Sequence, residues 1–299
     1  MSTNSSPGGL LKRIKPDWYL ILIITMMVAA TLAPARGEFA VGLGWLTKIA
    51  IGLVFFLHGA KLSREAVIHG VTHWRLHLVV TAVTFVLLPL ICRGLPFLPG
   101  WITPTELATC LIFLGCLPST IQSSIGFTVI ARGNVPAAIA SASASNLAGM
   151  ALTPLLVGLL LHTTGGMDPR GLWSIALQLL APFIAGQVLR PWIGDFVKRH
   201  APTMQKIDRG SILLVVYTAF SGAVLAGVWS TVGGLDLVRL IVLCLVVLAI
   251  VLWATHAAAK ALGFDKADEI AIVFCGSKKS LASGVPMAAA LFPAAVAGV

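Results

Sequence analysis

The chain has 299 residues, of which 58% are hydrophobic and 11% charged, with a formal net charge of +10 and a mean hydropathy of +0.94. A soluble domain carries about a quarter charged residues, so this chain cannot cover itself with polar surface and reads as an integral membrane protein. The basic excess is the cytoplasmic Lys and Arg bias of such a protein and calls for no nucleic acid.

The start, "MSTNSSPGGLLKRIKPDW", is polar and holds Gly and Pro, so residues 1–16 are expected to form a cytoplasmic tail. Nine apolar segments follow, at roughly 17–35, 40–60, 75–94, 105–131, 135–162, 172–191, 209–229, 236–262 and 267–292. Their lengths approach the roughly 20 residues that a helix needs to cross a bilayer, and the short alternating segments of a β-barrel are missing. The first lacks a small-x-small cleavage site and is read as a retained span. Gly, Pro and charged residues punctuate the rest, as in "APARGE", "ARGNVP", "TTGGMDPRG" and "GFDKADE". The chain stops at "FPAAVAGV", where a tenth segment would begin, so either a tenth helix is missing or the protein ends abruptly. The fold expected is all-α and polytopic, with nine to ten transmembrane helices. Six tryptophans, Trp18, Trp45, Trp101, Trp173, Trp192 and Trp229, lie near span ends, as an aromatic belt requires.

With the N-terminus inside and loops assigned alternately, fourteen Lys and Arg fall on the cytoplasmic side. Only Arg36, Arg93, Arg170 and Arg239 fall outside. That bias places the N-terminus in the cytoplasm, and the expected location is the cell inner (plasma) membrane. All eleven acids lie at or near span ends, which excludes an intramembrane aspartate protease and argues against a central carboxylate proton relay. There is no HExxH, GxSxG or P-loop, so the reading is not an enzyme. The five cysteines sit in or beside apolar runs without a CxxC, and are assigned neither a disulfide nor a metal. His69, His73 and His77 recur every four residues beside Trp74 and Arg75. A metal site is one reading and an interfacial amphipathic stretch the other.

Two segments depart from smooth apolar spans. In the fourth, Pro118 is followed by Ser119, Thr120, Gln122, Ser123 and Ser124. In the ninth, Gly276 precedes Ser277, Lys278, Lys279 and Ser280, with Ser283, Gly284 and Pro286 beyond. Each begins after an acid, runs apolar to a Cys, then meets a polar patch with helix breakers. They occupy equivalent places in two successive five-helix sets, and an odd number of spans per set inverts the second. This points to inverted repeats whose binding site is built from two discontinuous helices. The first repeat is 17–162, and the second is 172–299 with the start of the tenth segment. Unwound backbone at membrane depth must be satisfied by protein, water or substrate. Half-helix N-termini offer partial positive charge to an anion. Snorkelling lysines and helix packing through hydroxyl residues are the alternatives. The candidate substrate-binding residues are Ser119, Thr120, Gln122, Ser123, Ser124, Asn146, Ser277, Lys278, Lys279 and Ser280.

At "GCLPSTIQSSIGFTVIARGNVPAAIASASASNLAG" and "FCGSKKSLASGVPMAAALF" the chain resembles the bile acid:sodium symporter superfamily. The narrower resemblance is to the bacterial branch similar to the orphan seventh member of human solute carrier family 10. It runs from about Pro16 to the end, and "ARGN" is its most specific piece. It implies ten helices in two inverted repeats. A panel is formed by helices 1, 2, 6 and 7, and a core by helices 3–5 and 8–10, with helices 4 and 9 broken and crossing. The implied partners are a small organic anion and the lipid bilayer. No cofactor is implied, with Na+ the coupling ion of the family and a proton the other candidate. A channel or calcium-regulatory membrane protein is the alternative function. In the sodium-coupled members the ninth-helix motif carries a carboxylate and then a Gln–Asn pair. Here those places hold Cys275 and Lys279–Ser280, the fourth-helix Ser–Asn is Ser124–Ile125, and two hydroxyl positions of helix 5 are Ala138 and Ala142. The acidic sodium ligand is thus absent, and Lys279 is expected to stand in for the ion.

Overall fold

The computed structural model describes residues 18–61, 73–161, 169–228 and 233–292. The expected tail, His69 and the start of the tenth segment lie outside the described residues. Every regular element described is helical: α1 (Trp18–Leu32), α2 (Gly37–Lys61), α3 (Trp74–Phe97), α4 (Thr105–Cys116), α5 (Gln122–Ile130), α6 (Val135–Leu161), α7 (Pro169–Arg199), α8 (Ala201–Leu225), α9 (Gly234–Ala261), α10 (Lys266–Ser277) and α11 (Leu281–Leu291). Among the described residues five helices, α2, α3, α6, α8 and α9, are long and apolar enough to cross a membrane. The fourth and ninth segments each divide into two helices, α4–α5 and α10–α11, as their internal breakers predict. The sixth and seventh segments extend as α7 and α8 to either side of His200, well beyond their apolar stretches.

The helices pack as two groups. In the first, α2 lies along α7, while α8 packs on both α1 and α2. The α2–α7 contact is set by two glycines, because a Cβ at Gly59 would strike the Phe183 carbonyl and one at Gly186 the Phe56 carbonyl. Small residues let membrane helices approach to backbone contact, where dispersion and lipid release replace the hydrophobic effect. In the second group, α3, α4, α6 and α9 share a core that includes Val83, Leu88, Cys92, Leu111, Cys116, Met150 and Val251, and α10 packs beside it through Ala271, Ile272 and Cys275. The outer face of α9 exposes Leu235, Val238, Ile241, Val242, Leu245 and Trp253, as a lipid-facing helix does.

Within α3, residues Val83–Leu87 form a π-helical turn followed by Pro89. The Leu88 N–H reaches back to Val83 O, and Pro89 has no N–H to give. The Thr84 carbonyl therefore has no donor within its own helix.

Candidate functional site

The two divided helices cross at their breaks. α4 and α10 are each 12 residues long. At 1.5 Å per residue each spans roughly 18 Å, which carries the break past the middle of a ~30 Å hydrocarbon layer. Leu117 is extended, with φ −69° and ψ 152°, because the residue before a proline is pushed out of the helical region. Lys278 is likewise extended, with φ −98° and ψ 138°. The chain resumes helix at Gln122 after the first break and at Leu281 after the second.

Ending α4 frees a run of carbonyls, and each has a partner. Gly115 O and Leu117 O both accept from Lys279 Nζ, at 2.7 Å each. Cys116 O accepts from Thr153 Oγ1 at 2.8 Å. Pro118 O accepts from the Ser280 N–H at 2.9 Å. Ser119 O accepts from Asn146 Nδ2 at 2.6 Å. In return, the Ser119 hydroxyl donates to Cys275 O at 2.6 Å and the Ser124 hydroxyl to Phe274 O at 3.0 Å. The Ser119 N–H donates to Ser145 Oγ at 2.9 Å. Asn146 also accepts from the Ser283 hydroxyl at 2.8 Å, so one amide ties the first break to α11. The breaks can approach because Gly149 and Gly284 carry no side chain. A Cβ would lie 2.6 Å from Pro118 Cβ in the first case and 2.6 Å from Leu117 Cδ1 in the second.

The third partner of Lys279 Nζ is the Thr84 carbonyl, at 2.9 Å. This is the acceptor released by the π turn of α3. Lys278 goes elsewhere. Its ammonium stands 4.6 Å from the centre of the Phe127 ring and 5.9 Å from that of Phe274, and these two rings stack.

A cavity of about 720 Å³ opens between the two helix groups beside this crossing. Thr120, Gln122, Asn146 and Ser280 line it on the crossing side, together with Ser143 and Ser283. Tyr19, His58, Lys61, Asp208 and Arg209 line it on the opposite side. Lys61 and Asp208 form an ion pair at 3.6 Å, and the Arg209 guanidinium lies 5.1 Å from the Tyr19 ring centre. Leu147, Met150, Phe183 and Ile212 supply the apolar walls. No side chain caps the N-terminus of α5, which begins at the cavity wall with Ile121 and Gln122. The N-terminus of α11 differs, since Ser280 Oγ accepts from the Ser283 N–H at 3.2 Å.

Of the ten candidate residues, then, Thr120, Gln122, Asn146 and Ser280 meet the cavity. Ser119, Ser124 and Lys279 build the crossing, and Asn146 and Ser280 share in it. Ser277 is buried with its hydroxyl unpartnered, Ser123 is half-buried on α5, and Lys278 rests on its two rings. Sequence reasoning missed Thr84, Thr153 and the charged side formed by His58, Lys61, Asp208 and Arg209. Pro89, inside a long apolar segment, was the available signal for the first. The "ARGN" turn proves to be a joint. Arg132 adopts φ 60°, the Gly133 N–H reaches Thr128 O at 2.8 Å, and Asn134 both caps α6 through the Ala137 N–H and donates to Asp268 of α10 at 2.7 Å. Of the histidines, His77 contacts Ser141 Oγ at 2.6 Å and His73 precedes α3. Among the described residues no three His, Cys, Asp or Glu side chains gather as a metal site requires. Cys275, buried among Ala138, Ala271 and Ile272, gives its thiol to Ala138 O at 3.6 Å.

The profile of the SBF-like CPA transporter family matches residues 17–299. A protein of Pseudomonas aeruginosa described as uncharacterized is 56% identical over 289 residues, covering 96% of this chain and 86% of its own. YfeH of Escherichia coli, whose name gives it provisionally as a symporter, is 50% identical over 288 residues, covering 95% of this chain and 86% of its own. Sodium/bile acid cotransporter 7-B of Xenopus laevis is 32% identical over 297 residues, covering 95% and 84%.

Proposed function

The chain belongs to the SBF-like CPA transporter family, a family of multi-pass membrane transporters and not of enzymes. From that premise we propose that it is a secondary active transporter that moves an organic anion across the inner membrane by alternating access. The observation that carries this reading is the cavity of about 720 Å³ between the two helix groups. Its size suits a small organic molecule, since ligand sites run from about 300 to 1,000 Å³. Its walls combine apolar side chains with the uncapped N-terminus of α5, where partial positive charge meets an anion. Lys61 and Arg209 add full charges on the far side, against one carboxylate, Asp208. The anionic group binds at α5 with Thr120, Gln122 and Asn146, and the apolar body lies along Leu147, Met150 and Phe183.

The group of α1, α2, α7 and α8 acts as the panel, and the group holding the crossing acts as the moving core. The packing supports inverted repeats. Exchanging the first span with the sixth and the second with the seventh carries the α1–α8 contact onto α7–α2. Exchanging the third with the eighth and the fourth with the ninth carries α3–α4 onto α9–α10. The end of α2 and the start of α8, with Lys61, Lys206 and Arg209, belong to the basic side and face the cytoplasm. The cavity lies against those ends, so this conformation opens inward.

The test is uptake by proteoliposomes holding the purified chain, with taurocholate, a sulfated steroid and an alkyl sulfonate as probes. A carrier gives saturable flux of at least one probe, accelerated by the same anion on the opposite side. An ohmic current without such acceleration would make the protein a channel and end the carrier reading.

A further inference from the structure

Three main-chain oxygens converge on one side-chain nitrogen. Thr84 O comes from the π turn of α3, Gly115 O from the last turn of α4, and Leu117 O from the first break. They stand 2.9, 2.7 and 2.7 Å from Lys279 Nζ. None has a helical donor to satisfy it. Leu88 gives its N–H to Val83 and Pro89 has none, the Ser119 N–H is committed to Ser145, and Leu117 itself has left the helix. An ammonium has three donors and no acceptor, which matches three acceptors one to one. A neutral amine would turn its lone pair toward one of the carbonyls. Among the described side chains no carboxylate pairs with Lys279, so its counter-charge is made of carbonyl dipoles and the negative end of α4.

We propose that the Lys279 ammonium is a tethered monovalent cation of the transport core, lodged in a carbonyl cage formed by α3, α4 and the first break, and that the crossing therefore operates without a free sodium ion. A membrane-embedded cation is costly and is kept for a reason. Here the reason is geometric. Lys279 belongs to the second break and binds the first, so the ammonium joins the two discontinuous helices as a shared metal ion would, but it cannot dissociate. Cys275, at the neighbouring turn of α10, is closed in by alanines and by Ile272 and offers no charged oxygen to a metal. The consequence for function rests on the carrier reading above. The cage itself does not, and its test needs no substrate.

The experiment measures thermal unfolding of the purified full chain, and binding of 22Na+ to it, in sodium, potassium, ammonium, methylammonium and choline chlorides at equal ionic strength. The parent is expected to unfold at the same temperature in sodium as in choline and to bind no stoichiometric 22Na+. Saturable 22Na+ binding at one ion per chain, or a sodium-specific rise in the parent's midpoint, would overturn the proposal. Lys279→Ala is expected to lose several degrees in choline and to regain most of them in millimolar ammonium or methylammonium, which refill the cage. A Lys279→Ala protein as stable as the parent in choline would also overturn it. If that variant fails to fold, the two measurements on the parent still decide. Anion uptake that fails in every salt, with the cage behaving as described, would count against the carrier reading alone.

Discussion

The first break leaves five consecutive carbonyls free, from Gly115 to Ser119, and receives a donor at each, whereas the second break supplies donors for three of them through Lys279 and the Ser280 N–H. The two half-helices that follow differ as well. The N-terminus of α11 is capped by Ser280 and tied through Ser283 to Asn146, while that of α5 has no side-chain cap and opens on the cavity. One break is thus a structural clamp, and the other opens on the cavity. On the carrier proposal, the two divided helices divide the labour of satisfying backbone groups and of meeting an anion.

Substitutions on the clamp side are expected to act mainly on stability, and those on the cavity side mainly on transport. The largest effect falls at Lys279. Lys279→Met strands three buried carbonyls, and at about 1–3 kcal/mol for each unsatisfied group the loss is on the order of 3 kcal/mol or more. Detergent-solubilised variant should lose its monodisperse peak at temperatures the parent survives. Next comes Asn146→Ala, which unpairs Ser119 O and takes away the acceptor of the Ser283 hydroxyl at a cost of about 2 kcal/mol. Because Asn146 also lines the cavity, uptake should fall further than the stability loss explains, and uptake measured well below the unfolding midpoint separates the two. Gln122→Ala lies on the open side. Its midpoint should stay within about 0.5 kcal/mol of the parent, while the concentration for half-maximal uptake rises several-fold. A large stability loss there would erase the contrast between the two breaks. The smallest effect is at Lys278, where replacement by Gln removes a contact with two rings worth about 0.5–1 kcal/mol. Uptake and its salt dependence should be unchanged.

The all-helical, membrane-spanning character and the two interruptions were legible in the sequence because each rests on a local rule. Pro118 forces Leu117 out of the helix, and an apolar stretch of span length must satisfy its own backbone. Asn146 was legible too, as a large amide among alanines and serines of a mid-membrane segment. The destination of the lysines was not. Lys278 and Lys279 are neighbours in sequence, but extended backbone sends successive side chains to opposite sides, and only the tertiary fold puts carbonyls on one side and aromatic rings on the other. The acceptor on α3 was hidden for a related reason. Pro89 announces that a helical carbonyl loses its donor, yet only the π turn decides that the carbonyl is Thr84 and that it faces the second break. Lys61 and Asp208 read as loop-end charges in a one-dimensional scan, and become cavity residues only when α2 and α8 pack side by side.

Alternating access requires the open side of the crossing to be exposed to each face of the membrane in turn. Gln122→Cys tests it without a known substrate, in a background where the native cysteines are replaced by serine or alanine. The chain is reconstituted in vesicles that hold a potassium diffusion potential, and a membrane-impermeant maleimide is added to either face. Labelling of position 122 is expected from both faces while the potential persists. Labelling from one face alone would contradict alternating access at this site, and collapse of the potential would reveal a continuous pore.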